Sequence, residues 1–286
     1  MNKRMMSIVS VICFMASVLF FLYHMGIGEE SFKMDSRRLG QLCIAQLYPA
    51  ADFQPEEKKE EKLEITETKV TSVKETKESK AKVDNSKPQV IIYHTHSSES
   101  YQPYTEGNFH RQGEEGTVRE VGTVMAEELN KLGVSVVHDK TIHDSPSYNQ
   151  SYERSMETIT SLMKKYPSAE IIIDLHRDAA AYTGNVGETI TIDGEKVAKY
   201  KLVIGQANGN YSSLMAFAKK VNNAAEELYP GFSGRILEKE YNYNEYIADN
   251  YLLLEVGNNQ NNIKEVRRTG KYFAHVIEEI LEDGNE

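Results

Sequence analysis

Val90-Ile91-Ile92-Tyr93-His94-Thr95-His96-Ser97-Ser98-Glu99-Ser100 joins an apolar run to a polar, histidine-bearing segment. An apolar run stops abruptly at two histidines, and a carboxylate follows three residues after the second. Ile171-Ile172-Ile173-Asp174-Leu175-His176-Arg177-Asp178 has the same form, and so does Tyr251-Leu252-Leu253-Leu254-Glu255-Val256-Gly257. Short apolar runs of this kind read as buried strands. Each of the three ends in a side chain of the metal-binding or acid–base type.

Helical stripes lie between these runs. Val121, Val124, Met125 and Leu129 share one face of a helix predicted over 117–132, with Gly133 as its stop. Met156, Ile159, Leu162 and Met163 do the same over 152–166, and Leu214, Phe217, Ala218, Val221 and Ala225 over 211–228. A last helix is expected over 262–281. Further strands are expected at 134–137 and 235–237, and at 188–192 and 196–204 around the turn signal Asp193-Gly194. Strand–helix alternation predicts an α/β fold, a mostly parallel twisted sheet flanked by helices, as a single domain over residues 88–286.

In such sheets ligands bind beyond the carboxyl ends of the strands. His94 and His96 then follow the first strand, His176 and Asp178 follow a central one, and Glu255 closes the last. Zinc accepts His nitrogens and carboxylate oxygens, and a catalytic site leaves one position open for water. The chain has only two cysteines, Cys13 and Cys43, both outside this domain, so neither a disulfide framework nor a thiolate site can be built. A net charge of −10 argues against a nucleic-acid binder.

Upstream, residues 1–28 read as a transmembrane anchor. No Lys, Arg, Asp or Glu occurs from Met5 to Ile27, and a helix of that length spans about 35 Å. Lys3 and Arg4 before it and Glu29 and Glu30 after it put the N-terminus inside. The rival is a cleaved signal peptide with a weak site at Gly26-Ile27-Gly28. Either reading places the domain outside the cytoplasm. Residues 29–54 form a juxtamembrane segment, lying on lipid or docking a partner through Leu39, Leu42 and Leu47. Residues 55–87 carry 18 Lys, Glu or Asp and no aromatic residue. They cannot bury enough apolar area to fold, and so form a flexible linker.

With these residues quoted, the chain resembles the stage II sporulation protein P family, whose catalytic domain is related to zinc-dependent N-acetylmuramoyl-L-alanine amidases. The carriers are His94-Thr95-His96-Ser97-Ser98-Glu99-Ser100, Asp174-Leu175-His176-Arg177-Asp178 and Leu254-Glu255-Val256-Gly257. The resemblance implies an amidase-like fold and Zn2+. It implies a membrane-anchored peptidoglycan hydrolase acting in septal wall thinning and engulfment, in the space between the membranes of a sporulating cell. It implies cleavage of the lactyl-L-alanine amide, with endopeptidase action on the stem peptide as a second activity, and a lytic transglycosylase partner, stage II sporulation protein D. Laid on the amidases' Asp-Pro-Gly-His, the first zinc ligand falls on His96. The second falls on His176, and the catalytic glutamate on Glu255. For the third ligand Glu99 is the first choice, with Glu114, Glu115 and Glu120 as alternatives.

Several residues keep two readings. His94 is a ligand, or a partner that orients one, or an oxyanion donor. Arg177 and Asp178 form a solvated ion pair, or Asp178 orients a ligand. His138 and His143 are read as non-ligands. Tyr241-Asn242-Tyr243-Asn244 is a groove-lining loop for glycan or peptide, or a plain polar loop. Two other functions compete: a zinc peptidase or deacetylase on another wall bond, and a non-catalytic anchored scaffold that binds the wall.

Overall fold

β1 (Val90–Tyr93) is sealed from solvent along its whole length. Four consecutive buried apolar residues cannot alternate in and out, so both faces of the strand must be covered, as in a parallel sheet. The computed structural model describes residues 86–180, 184 and 186–283. The expected anchor, juxtamembrane segment and linker over 1–87 lie outside the described residues, save the last two of the linker. Among the described residues no helix is long and apolar enough to cross a membrane.

Among the described residues, eight strands and four long helices follow in order. They are β1, α1 (Val118–Lys131), β2 (Val136–His138), α2 (Ser151–Lys165), β3 (Ile171–Asp178), β4 (Thr189–Ile192), β5 (Glu195–Ala198), β6 (Tyr200–Gly205), α3 (Tyr211–Leu228), β7 (Arg235–Lys239), β8 (Tyr251–Asn258) and α4 (Ile263–Asp283). Six strands form one sheet in the order β2-β1-β3-β8-β6-β7. All neighbours pair parallel except β8 and β6, which run antiparallel. The mostly parallel α/β sheet expected from sequence is the observed one.

The order fixes where a ligand can sit. From β1 the chain goes through α1 to β2 on one side, then returns through α2 to β3 on the other. That reversal makes the gap between the carboxyl ends of β1 and β3 a topological switch point, the usual ligand crevice of open α/β sheets. α1 and α3 both pack on α4, forming one helical layer over the sheet. The register does the rest. His176 of β3 stands beside Glu255 of β8, and Glu255 stands beside Lys201 of β6. Paired residues point to the same face, so three ionisable groups cross the sheet in one row.

The structure adjusts some expected boundaries. β3 runs through His176 to Asp178, and β8 runs past Glu255 to Asn258, so both side chains belong to strands and do not follow them. The strand expected over 196–204 is two. β5 folds back on β4 as a separate two-stranded sheet, and β6 joins the main sheet. Continuous alternation concealed the break because both pieces bury apolar residues, Val197 and Ala198 in one and Leu202 and Ile204 in the other.

Candidate active site

The loop after β1 is held residue by residue. Thr95 gives its backbone N–H to Asp174 Oδ1 (2.7 Å) and its hydroxyl to Asp174 Oδ2 (2.6 Å). Ser98 does likewise to Asp144 Oδ2 (2.8 and 2.6 Å). Two buried arginines clamp the chain beyond. Arg119 Nε donates to Ser97 O (2.8 Å), and its Nη2 donates to the carbonyls of Gln112 and Gly113. Arg177 donates to Ser100 O (3.1 Å), Phe109 O (3.0 Å) and Asp178 O (3.3 Å). Charge-assisted bonds to backbone carbonyls of this kind are short and strong. They fix the positions of His94, His96 and Glu99 before any ligand arrives.

The hydrogen bonds settle which histidine nitrogens are free. His94 spends both: Nδ1 donates to Leu175 O (2.8 Å), and Nε2 meets His138 Nε2 (2.8 Å). Gly122 makes room for that pair, since a Cβ there would lie 2.5 Å from His138 Nε2 and 3.0 Å from His94 Nε2. Burial, and then each other's charge for His94, hold both imidazoles below the usual histidine range, His138 at about 3. His143 is also spent, on His94 O and Thr158 Oγ1 (both 2.8 Å). His96 differs. Ser151 Oγ donates to Tyr148 O, so at 3.0 Å it accepts from His96 Nδ1. That fixes the proton on Nδ1 and leaves the Nε2 lone pair available. Burial lowers His96 to about 4, which keeps it neutral, the form that ligates metals.

His176 lies between two carboxylates. Its Nδ1 is 3.6 Å from Glu99 Oε2, and its Nε2 is 2.9 Å from Asp174 Oδ1. The second contact is short but poorly aligned, so Nε2 has no hydrogen-bond partner among the described residues. Burial alone would depress His176, but Asp174 and Glu99 overcome it and raise it well above the usual range. The imidazolium thus supplies the positive charge that two buried carboxylates require. Glu99 is 5% exposed and also accepts the Arg177 N–H (3.1 Å). Burial would raise it, but His176 and Arg177 hold it below the usual carboxylate range.

Glu255 is the opposite case. The residue is only partly buried, yet its Oε2 is sealed and has no partner among the described residues. Burial pushes it up to about 8, against the pull of His176. Two neighbouring carboxyls with pKa values pushed apart divide the labour of an acid–base site: one stays ionised and the other carries a proton near neutrality.

Residues 34–278 match the sequence model of the family described as Stage II sporulation protein P (SpoIIP). This chain belongs to the SpoIIP family. A curated relative, Stage II sporulation protein P of Bacillus subtilis (strain 168), is 27% identical over 249 residues. That alignment takes in 82% of this chain and 61% of the relative, so the chain spans about three-fifths of the relative's length. Among solved structures, the N-acetylmuramoyl-L-alanine amidase AmiC2 of Nostoc punctiforme is 14% identical, with 71% of this chain and 99% of that one covered and a TM-score of 0.38. The catalytic domain of CwlV, an N-acetylmuramoyl-L-alanine amidase from Bacillus (Paenibacillus) polymyxa var. colistinus, is also 14% identical. It covers 68% and 98% of the two chains with a TM-score of 0.42.

In this SpoIIP-family chain the fold brings His96, Glu99, His176 and Glu255 to one crevice. The other candidates are engaged elsewhere. His94 has no free nitrogen and acts as a strut between β1 and β3. Glu120 accepts from Gly116 N (2.6 Å) and pairs with Arg267 (3.4 Å), so it caps the loop before α1. Glu114 binds Thr123 and Lys140, and Glu115 binds Tyr104. Arg177 and Asp178 do not form the expected side-chain pair. Arg177 holds carbonyls, and Asp178 meets Lys201. Asp174 is the residue that the sequence reading gave no role. It also accepts from Tyr251 Oη (3.2 Å), which Tyr93 Oη meets at 2.6 Å. Its signal was present: residues two apart on a strand share a face, so an aspartate two before His176 had to point with it.

Proposed function

We propose that this domain is a zinc-dependent peptidoglycan hydrolase of the N-acetylmuramoyl-L-alanine amidase type. The observation that carries the reading is the sealed, unpartnered Oε2 of Glu255 beside a Glu99–His176 pair spaced for a shared cation. Ligand atoms at 2.0–2.2 Å from one zinc, at tetrahedral angles, lie roughly 3.4 Å apart. Glu99 Oε2 and His176 Nδ1 stand 3.6 Å apart, too far for a hydrogen bond and close to that figure. Ring centroids of two imidazoles on one zinc fall about 5 Å apart by the same geometry, and those of His96 and His176 are 5.2 Å apart.

The donor set therefore fits zinc, with His96, His176 and Glu99 as its holders. The His96 nitrogen stands somewhat wide of the other two. Among the described residues only Glu278, Glu279 and Glu282 place three such atoms within 4.8 Å of one another. Binding must draw the His96 ring inward. Zinc held there would polarise the scissile carbonyl and make water a nucleophile near neutral pH. The chain's own residues do the rest. Glu255 ionises once a cation replaces the imidazolium charge beside it, takes a proton from the attacking water, and delivers it to the departing L-alanine nitrogen. Asp174 presents the far side of His176 with a carboxylate, the arrangement that sets the orientation of a ligating imidazole. Asp174→Asn is expected to weaken zinc affinity roughly 10–100-fold, since Asn keeps an acceptor for the Thr95 N–H but removes the carboxylate charge behind His176. Equilibrium titration against a competing chelator measures it.

Residues 1–28 anchor the chain in the membrane with its domain outside the cytoplasm, and the linker over 55–87 lets it search the wall near its anchor. Family membership supports a role in sporulation; septal thinning and engulfment alongside a lytic transglycosylase, stage II sporulation protein D, are part of the same proposal. The test is digestion of purified peptidoglycan by the full chain, read by mass spectrometry. Free stem peptides and unsubstituted lactyl ends are expected, lost with chelator and restored by zinc. Cleavage inside the stem peptide would instead favour the endopeptidase reading, and deacetylated sugars a deacetylase. No product under any metal condition would favour the anchored scaffold.

A further inference from the structure

Four large apolar side chains are conspicuously exposed among the described residues: Tyr148, Val186, Tyr241 and Tyr246, at 45%, 58%, 68% and 55%. Three are tyrosines, in the two loops that flank the crevice. The rings connect. Tyr148 stacks flat on His96, with centroids 4.0 Å apart and planes 3° apart. His96 meets Tyr152 at 5.5 Å, Tyr152 meets Tyr243 at 5.5 Å, and Tyr243 meets Tyr241 at 5.9 Å. A chain of aromatic rings, in edge and tilted contact beyond the first stack, therefore runs from the Glu99 side of the crevice out over the loop between β7 and β8.

The loop is built to hold that row. Tyr243 sits at φ 52°, a left-handed conformation that costs a bulky side chain strain and persists only where the surroundings impose it. Next to it, Asn244 donates to Ser155 Oγ (2.9 Å) and Tyr152 O (3.3 Å). Glu245 is buried and accepts from Gly205 N (2.6 Å) and Asn208 (3.0 Å). The outermost ring is thus exposed on a pinned support, the condition for binding at low entropic cost.

We propose that this aromatic row is a glycan subsite, which seats the N-acetylated sugar rings of a wall polymer so that the adjoining amide reaches Glu255. The polymer's identity rests on the hydrolase reading above. Charge selects the occupant. No Lys or Arg occurs from Thr141 to Glu153 or from Glu240 to Asn258, and Arg154 is spent on the carbonyls of His143 and Ser147. A stem peptide's carboxylates or a polyphosphate would find no cation there. A neutral sugar offers an apolar ring face to tyrosine and hydroxyls to the Tyr oxygens and the exposed Asn242 amide.

The experiment uses the full chain carrying Glu255→Gln, which binds without cutting, and insoluble chitin, a neutral polymer of N-acetylated sugar without lactyl carboxylates. Co-sedimentation should show binding, weakened about tenfold by adding Tyr241→Ala and largely kept by Tyr241→Phe. Free stem peptide should not compete. Unchanged binding in the Tyr241→Ala chain, competition by stem peptide, or no binding of chitin overturns the subsite. Digestion of intact peptidoglycan by the chain with native Glu255 is scored separately. Tyr241-dependent glycan binding without amide cleavage would keep the subsite and remove the amidase, and cleavage without glycan binding would do the reverse.

Discussion

Glu255→Gln is expected to lower turnover of peptidoglycan by roughly 10²–10⁴-fold, the usual contribution of a positioned general acid–base group. Zinc content should be unchanged. Gln matches Glu in shape, and Glu255 already carries its proton near neutrality in the metal-free chain because burial raises it to about 8. The substitution therefore replaces one neutral group by another and should not weaken the fold. Product release and metal analysis on the same sample read both quantities. Normal turnover would remove Glu255 from the proton path, and lost zinc would make it a ligand.

His176→Ala has the largest expected effect on both metal and stability. It removes one ligand, so zinc should fall from about one ion per chain to background in the presence of a weak chelator, and activity with it. It also removes the only positive side chain described between Glu99 and Asp174, both within 3.6 Å of it. Stripping one partner from a buried ionic group costs about 3–5 kcal/mol, measurable by denaturant titration of the metal-free protein. The pH dependence has a definite sign. His176 is raised above 6.5 in the fold, so its contribution is full below that value and fades as pH climbs through the raised one. Asp174 is lowered below 3.8 and Glu99 below 4.5, so theirs are full above those values and fade in stronger acid. The metal-free native chain should hold the trio best between about pH 4.5 and 6.5. The variant should regain stability as acid neutralises the two carboxylates.

Much of this site was legible because strands expose their ends to arithmetic. Short apolar runs closing at His94, His176 and Glu255 read as strands, and a parallel sheet gathers strand ends on one edge. Glu99 was legible as a position three residues past His96 but not as a neighbour of His176, since that contact depends on Arg177 holding the loop back against β3. His94 illustrates the reverse. By spacing it competes with His96 on equal terms, and only the contacts to Leu175 and His138 take it out of contention. The partners of His96 were not legible at all. Tyr148 and Tyr152 lie some fifty residues away, and nothing local marks a tyrosine that will stack on a ring delivered by another strand. The antiparallel pairing of β6 with β8 was hidden for a similar reason: apolar alternation records burial and carries no strand direction.

The central claim is that one cation sits between the ends of β1 and β3 next to Glu255. Anomalous diffraction at the zinc edge, on crystals of the Glu255→Gln chain grown with stoichiometric zinc, tests it most directly. The account predicts a single site about 2.0–2.2 Å from His176 Nδ1, Glu99 Oε2 and a His96 nitrogen. Zinc found only at Glu278, Glu279 and Glu282, or a crevice that stays empty at saturating metal, would contradict it.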